Sequence, residues 1–142
     1  MPEQELNKQL DRLNAEAARR GAPFRILVVD DEEWVREVLQ DFCSLTHACR
    51  VDTATDGEDA VRKVAAGSYD LVTMDLIMPE LSGLDALTRI KEVAPRLPVM
   101  VVTGNATDKL VTEAGVLGAC RVMYKPVTIE QFVGQLLRTL TR

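Results

Sequence analysis

Three aspartates follow directly after two short apolar runs, so acidic side chains are expected where strands end. Asp30 and Asp31 follow the run 26–29, and Asp75 follows the run 71–74. A short, uninterrupted run rich in β-branched residues is typical of a strand buried on both faces. Ligands of open parallel sheets bind at the carboxyl ends of such strands. Because like charges a few ångströms apart oppose ionisation, three converging carboxylates predict a divalent metal ion with oxygen ligands.

Two further apolar runs end in polar residues of a different kind. The run 98–102 is followed by Thr103, which offers a hydroxyl, and the run 121–124 is followed by Lys125, which offers a cation. If all four runs are parallel strands of one sheet, these side chains reach the same edge as the three aspartates.

An acid pair, a single acid, a threonine and a Lys-Pro step, each after a strand and in this order, resemble the receiver domain of two-component response regulators. The strings that carry the resemblance are VVDDEEWVREVL, VDTATDGEDAV, YDLVTMDLIMPELSGLDAL, PVMVVTGNA and GACRVMYKPV, within residues 24–142. The resemblance implies an α/β fold, doubly wound, with a five-stranded parallel sheet of flavodoxin-like order 2-1-3-4-5. It also suggests a stand-alone, chemotaxis-type receiver, because the chain leaves no room for an output domain.

The resemblance assigns a role to each strand-end residue. Asp75 becomes the phosphoacceptor, Thr103 donates its hydroxyl to the phosphoryl group, and Lys125 pairs with Asp75 or with that group. The implied ligands of Mg²⁺ are Asp30 (through a bound water), Asp31, Asp75 and the backbone carbonyl of Ile77. Mg²⁺ suits such a set, since it prefers oxygen ligands and keeps several of its waters. The Lys125-Pro126 bond is expected to be cis.

The leading hypothesis is a signalling protein phosphorylated on Asp75 by a histidine kinase or a histidine phosphotransfer protein. Output would then pass through contacts with a downstream protein, and catalysis would be limited to its own phosphotransfer and slow dephosphorylation. One alternative is a Mg²⁺-dependent phosphatase of the haloacid dehalogenase type, which requires a second acid two residues after its nucleophile, where this chain has Ile77. Another is a receiver-shaped scaffold that is never phosphorylated.

Five residues around the motifs need separate interpretation. Glu32 and Glu33 follow the acid pair, and we expect them to favour the dipole of the next helix rather than to bind metal. Trp34 opens that helix and is expected to lie near the site. Where relatives commonly carry an aromatic residue three positions before the lysine, this chain has Val122, with Tyr124 on the same face of the strand.

Composition and charge argue against several classes of function and location. The net charge is −5, and residues 1–22 are balanced, so the acidic excess lies in the remainder and argues against direct nucleic-acid binding. No apolar stretch predicts a membrane span or a signal peptide, and a cytoplasmic location is expected. The three cysteines lack CxxC spacing and are expected to be reduced, mostly buried thiols.

The sequence predicts two regions, an N-terminal helical extension over 1–22 and a receiver domain over 24–142. In the extension, Leu6, Leu10, Leu13 and Ala17 form one apolar seam on a helix over 3–20. Since an isolated helix of this length is marginal in water, the seam needs cover. Three arrangements stay open: a homodimer through the helix, docking on its own receiver, or a frayed segment.

Overall fold

The computed structural model describes residues 2–78 and 81–141, in which strands alternate with helices from residue 24 onward. The helices are α1 (Pro2–Arg20), α2 (Glu33–Ser44), α3 (Gly57–Ala66), α4 (Gly83–Val93), α5 (Asp108–Val116) and α6 (Ile129–Leu140). The strands are β1 (Phe24–Val29), β2 (Cys49–Ala54), β3 (Leu71–Met74), β4 (Val99–Thr103) and β5 (Ala119–Tyr124). The four apolar runs of the sequence are therefore β1, β3, β4 and β5, with only small shifts at their ends.

The strands form one parallel sheet in the order β2-β1-β3-β4-β5, so the predicted fold is confirmed. β1 and β3 are neighbours, and Val29 is the register partner of Met74. The next residues, Asp30 and Asp75, therefore leave the sheet side by side. Thr103 at the end of β4 is level with Tyr124 at the end of β5. This register brings the four strand ends to one edge.

Helices cover both faces of the sheet, and each face has its own apolar core. Side chains from α1, α2 and α6 pack on one face around Phe132. Those from α3, α4 and α5 pack on the other face around Leu87. β1 serves both layers, because Ile26 points into the first core and Leu27 into the second, as strand alternation requires. No helix in the described ranges is long and apolar enough to cross a membrane.

The sequence of α1 favours a helix through the charges at its two ends and through the glycine that follows it. Acidic Glu3 and Glu5 lie in its first turn and basic Arg19 and Arg20 in its last, which suits the helix dipole. Gly21 then takes a positive φ of 79°, and its N–H donates to the carbonyl of Ala17. A glycine in this conformation just after the last turn is a common helix terminator.

The apolar seam of α1 is covered by the α/β region of the same chain. α1 packs against α6, Leu13 has 0 % exposed surface, and Ala17 is buried. Asn14 adds a polar contact, since its side-chain oxygen accepts a hydrogen bond from the Thr46 hydroxyl at 2.5 Å. Of the three predicted arrangements, the structure has docking on its own receiver. A homodimer through the same seam requires α1 to leave α6.

A close backbone contact fixes the start of α4 beside the strand end that carries Asp75. A Cβ atom on Gly83 would lie 2.4 Å from the carbonyl oxygen of Asp75 and 2.5 Å from Cα of Leu76. The preceding residue, Ser82, caps the helix by accepting from the N–H of Asp85. Only glycine therefore lets α4 approach the β3 end this closely.

Candidate functional site

Asp75 lies at the end of β3 and is almost fully buried, with 4 % of its surface exposed. Its Oδ1 accepts hydrogen bonds from the Thr103 hydroxyl at 3.0 Å and from the N–H of Ile77 at 3.1 Å. Its Oδ2 lies 3.1 Å from Nζ of Lys125. The carboxylate is thus oriented by β4, by the chain after β3 and by the β5 end.

Asp30 and Asp31 leave the end of β1 in opposite environments. Asp30 is buried, and its carboxylate accepts from the N–H of Glu32 at 3.0 Å and pairs with Lys125 at 2.9 Å. Burial raises the pKa of Asp30, and these hydrogen bonds offset only part of that rise. Asp31 is exposed to solvent. One carboxylate is therefore held in place while its neighbour faces water.

Lys125 is the common partner of three carboxylates. Its Nζ lies 2.9 Å from Asp30, 3.0 Å from Glu32 and 3.1 Å from Asp75, and only 9 % of its side chain is exposed. Burial opposes the charge of this lysine, but the hydrogen bonds to the three acids outweigh that effect and raise its pKa above the ordinary value. The Lys125-Pro126 peptide bond that follows this lysine is cis, as expected.

Glu32 belongs to the site, contrary to the expectation that it only serves the dipole of the following helix. It stands at the N-cap of α2, yet its side chain makes no capping bond. Instead it pairs with Lys125 and accepts a 2.8 Å hydrogen bond from Nε1 of Trp34. The hydrogen bonds from Trp34 and Lys125 lower the pKa of Glu32. Trp34 therefore lies near the site as predicted, while Glu33 in the first turn of α2 still fits the dipole interpretation.

The acidic groups are close enough to share one cation. Asp30, Asp31, Glu32 and Asp75 each offer a carboxylate oxygen, and these oxygens lie within 4.8 Å of one another. Such a set of hard oxygen donors fits Mg²⁺. An adjoining cleft of about 210 Å³ opens to solvent. Its lining consists of Asp31, Glu32, Asp75, Ile77, Gly104, Asn105 and Lys125.

The structure brings together all the residues that the sequence proposed for the site and adds Glu32. Nothing in the sequence around Glu32 distinguishes it from an ordinary acid at the start of a helix, and its role depends on Lys125, 93 residues away.

The position three residues before Lys125, where relatives commonly carry an aromatic residue, holds Val122. Val122 packs partly buried against the core of the α4 and α5 face, and Tyr124 is 54 % exposed.

Comparison with known proteins identifies the class that this fold and site define, a phosphoryl-signalling receiver. The response regulator receiver domain matches residues 26–137, and the chain belongs to that family. It is 35 % identical over 132 residues to the chemotaxis protein CheY of Treponema pallidum, covering 92 % of each chain. The CheY protein of Thermotoga maritima is 34 % identical over 102 residues, covering 72 % of this chain and 85 % of that protein.

Solved structures agree with the fold. The response regulator domain of Thermotoga maritima CheB superimposes with a TM-score of 0.73 at 33 % identity, covering 83 % of this chain and 93 % of that one. A beryllofluoride-activated DrrB receiver domain gives 0.76 at 27 % identity, covering 84 % and 99 %. These matches do not favour the phosphatase alternative, which also lacks its second acid because Ile77 occupies that position.

Proposed function

We propose that Asp75 accepts a phosphoryl group from a histidine kinase or a histidine phosphotransfer protein. The observation that carries this proposal is the arrangement around its carboxylate, where Thr103, Lys125 and the N–H of Ile77 all donate to one buried acid. An acid held by three donors at the mouth of a cleft is oriented for attack on phosphorus.

In the transfer, a carboxylate oxygen of Asp75 forms the new bond to phosphorus while the bond from phosphorus to the donor's imidazole nitrogen breaks. The leaving imidazole takes up a proton. Lys125 neutralises charge on a phosphoryl oxygen, and it reaches that oxygen by exchanging one of its three carboxylate partners. The hydroxyl of Thr103, now bonded to Asp75, turns to donate to another phosphoryl oxygen.

Asp30, Asp31, Asp75 and the carbonyl of Ile77 are proposed to hold Mg²⁺. When bound, this ion offsets the negative charge that builds up on the transferring oxygens. The cluster of carboxylate oxygens within 4.8 Å supports the assignment. Asp30 contributes mainly by position, since it is already bonded by the N–H of Glu32 and by Lys125. Asp31, being exposed, is the acid most available to a hydrated ion.

The phosphorylated form is proposed to carry the signal to another protein. The receiver region over 24–142 is proposed to signal through contacts with a downstream protein and not through an enzymatic activity of its own. The N-terminal helix over 1–22 is proposed to be an extension of that domain, packed on α6. The cytoplasmic location expected from the sequence stays part of the same proposal.

The test is Mg²⁺-dependent labelling by a small phosphodonor, followed by intact mass measurement. The wild type is expected to gain one phosphoryl group only with Mg²⁺, Asp75→Asn to gain none, and Asp31→Asn to need far more Mg²⁺. Asp41→Asn is the matched control, because Asp41 is an exposed acid on α2. Equal labelling of wild type and Asp75→Asn would refute the assignment, and no labelling of the wild type would favour the unphosphorylated scaffold.

A further inference from the structure

Glu32 is an acid at the cleft that uses both of its carboxylate oxygens. Its Oε1 lies 3.0 Å from Nζ of Lys125, and its Oε2 accepts a 2.8 Å hydrogen bond from Nε1 of Trp34. The side chain of Glu32 is 45 % exposed, and it forms part of the lining of the cleft beside Asp75. Glu32 therefore ties the buried ammonium of the site to an exposed indole on α2.

The three carboxylates that hold Lys125 differ in the cost of losing it. The side chain of Asp30 is only 2 % exposed, and a buried charge without its partner is strongly unfavourable. Glu32 would instead be hydrated by solvent, since ion pairs of partly exposed groups contribute little. The third partner, Asp75, is the residue proposed to carry the phosphoryl group. Glu32 is therefore the acid that Lys125 can leave at the lowest cost.

A phosphoryl group on Asp75 would enter the same cleft that Glu32 lines. Its negatively charged oxygens repel the nearby Glu32 carboxylate and attract the same ammonium. A lysine ammonium has three N–H donors, and three carboxylates already lie within 3.1 Å of Nζ of Lys125. A further acceptor in the cleft therefore displaces one of them.

We propose that Glu32 is a positioning residue that holds Lys125 before phosphorylation and releases it when Asp75 carries a phosphoryl group. This inference rests on the proposed phosphorylation of Asp75. Because Glu32 competes with the phosphoryl group for the ammonium, it slows the labelling of Asp75. The released carboxylate turns to solvent and changes its bond to the indole of Trp34, so the event reaches an exposed side chain of α2.

The first experiment measures the initial rate at which acetyl phosphate labels the full-length chain at saturating Mg²⁺, by intact mass. Glu32→Gln is expected to be labelled about 2- to 5-fold faster than the wild type, because one partly exposed ion pair no longer competes for Lys125. Glu33→Gln is the matched control. It removes the same charge from the adjacent exposed acid in the first turn of α2, and it should be labelled at the wild-type rate.

Two further measurements test the link to the indole. Trp34→Phe keeps a ring on α2 but removes the N–H that anchors Glu32, so it should give a smaller gain in rate, and the double variant Glu32→Gln/Trp34→Phe should be no faster than Glu32→Gln alone. Trp34 is the single tryptophan of the chain, so its emission reports this contact directly. Beryllofluoride with Mg²⁺, a mimic of the phosphoryl group, should change the emission of the wild type, change that of Glu32→Gln less than half as much, and leave Asp75→Asn unchanged.

The outcomes separate this inference from the proposed function on which it rests. A wild type that takes up no phosphoryl group refutes both. If the wild type is labelled, the inference alone is overturned when Glu32→Gln is labelled no faster, or when Glu33→Gln shows the same gain and the effect is one of general charge. It is also overturned when Glu32→Gln and the wild type show equal changes in emission with beryllofluoride.

Discussion

Removing the side chain of Leu13 tests whether the N-terminal helix is part of the receiver's core. Leu13 is fully buried against the layer that contains Phe132 of α6. Truncation to alanine removes apolar burial and leaves a cavity, which together cost about 2–5 kcal/mol for a fully buried leucine. Leu13→Ala is therefore expected to lower the free energy of unfolding by that amount, a large fraction of the stability of a domain of this size.

Urea unfolding of the wild type and of Leu13→Ala measures this loss, with each protein studied at two widely separated protein concentrations. The matched control is Leu45→Ala, since Leu45 is 57 % exposed and its truncation should change stability by less than about 0.5 kcal/mol. A loss for Leu13→Ala no larger than for Leu45→Ala would refute the docking of α1. A midpoint that depends on protein concentration would instead show that the leucine is covered by a second chain.

Three further predictions concern the site and its surroundings. Ile77→Asn should speed loss of the Asp75 phosphoryl group about 2- to 10-fold, because one added hydrogen bond to the attacking water contributes about 0.5–1.5 kcal/mol; an unchanged lifetime by intact mass contradicts this. Emission of Trp34 should respond to Mg²⁺ more strongly in the wild type than in Glu32→Gln, because Glu32 joins the indole to Lys125; equal responses reject the link. Gly83→Ala should cost at least about 1–3 kcal/mol through its clash with the backbone after β3. Gly115→Ala, in open space on α5, should be stabilising by about 0.4–1 kcal/mol, and equal urea midpoints of these two variants would contradict the clash.

The site also shows how one lysine organises the acidic edge of the sheet. Lys125 is held by three carboxylates from two different strand ends. A change in the charge of one carboxylate therefore alters the ion pairs that the lysine makes with the other two. The indole of Trp34 extends this chain of contacts to the surface of α2. Asp75 is therefore connected to the exposed indole of Trp34 through the direct hydrogen bonds of Lys125 and Glu32.

Local sequence patterns were enough to place the strands and the polar residues that follow them. A buried strand needs a continuous apolar run, which is a local property, and the polar residue that stops the run marks the sheet edge. For this reason the sequence placed Asp30, Asp75, Thr103 and Lys125 at strand ends, where the structure also has them. The strand order followed from the resemblance to receiver domains and agrees with the observed sheet.

Features that depend on partners far away in the chain are visible only in the folded protein. Glu32 looks like an ordinary first-turn acid until the β5 end brings Lys125 to it. The sequence left three arrangements open for the seam of α1, and the folded structure shows that α1 packs against α6. Helix α5 has no strong apolar stripe, with Ala114 as its buried residue, so its neighbours define it more than its own pattern.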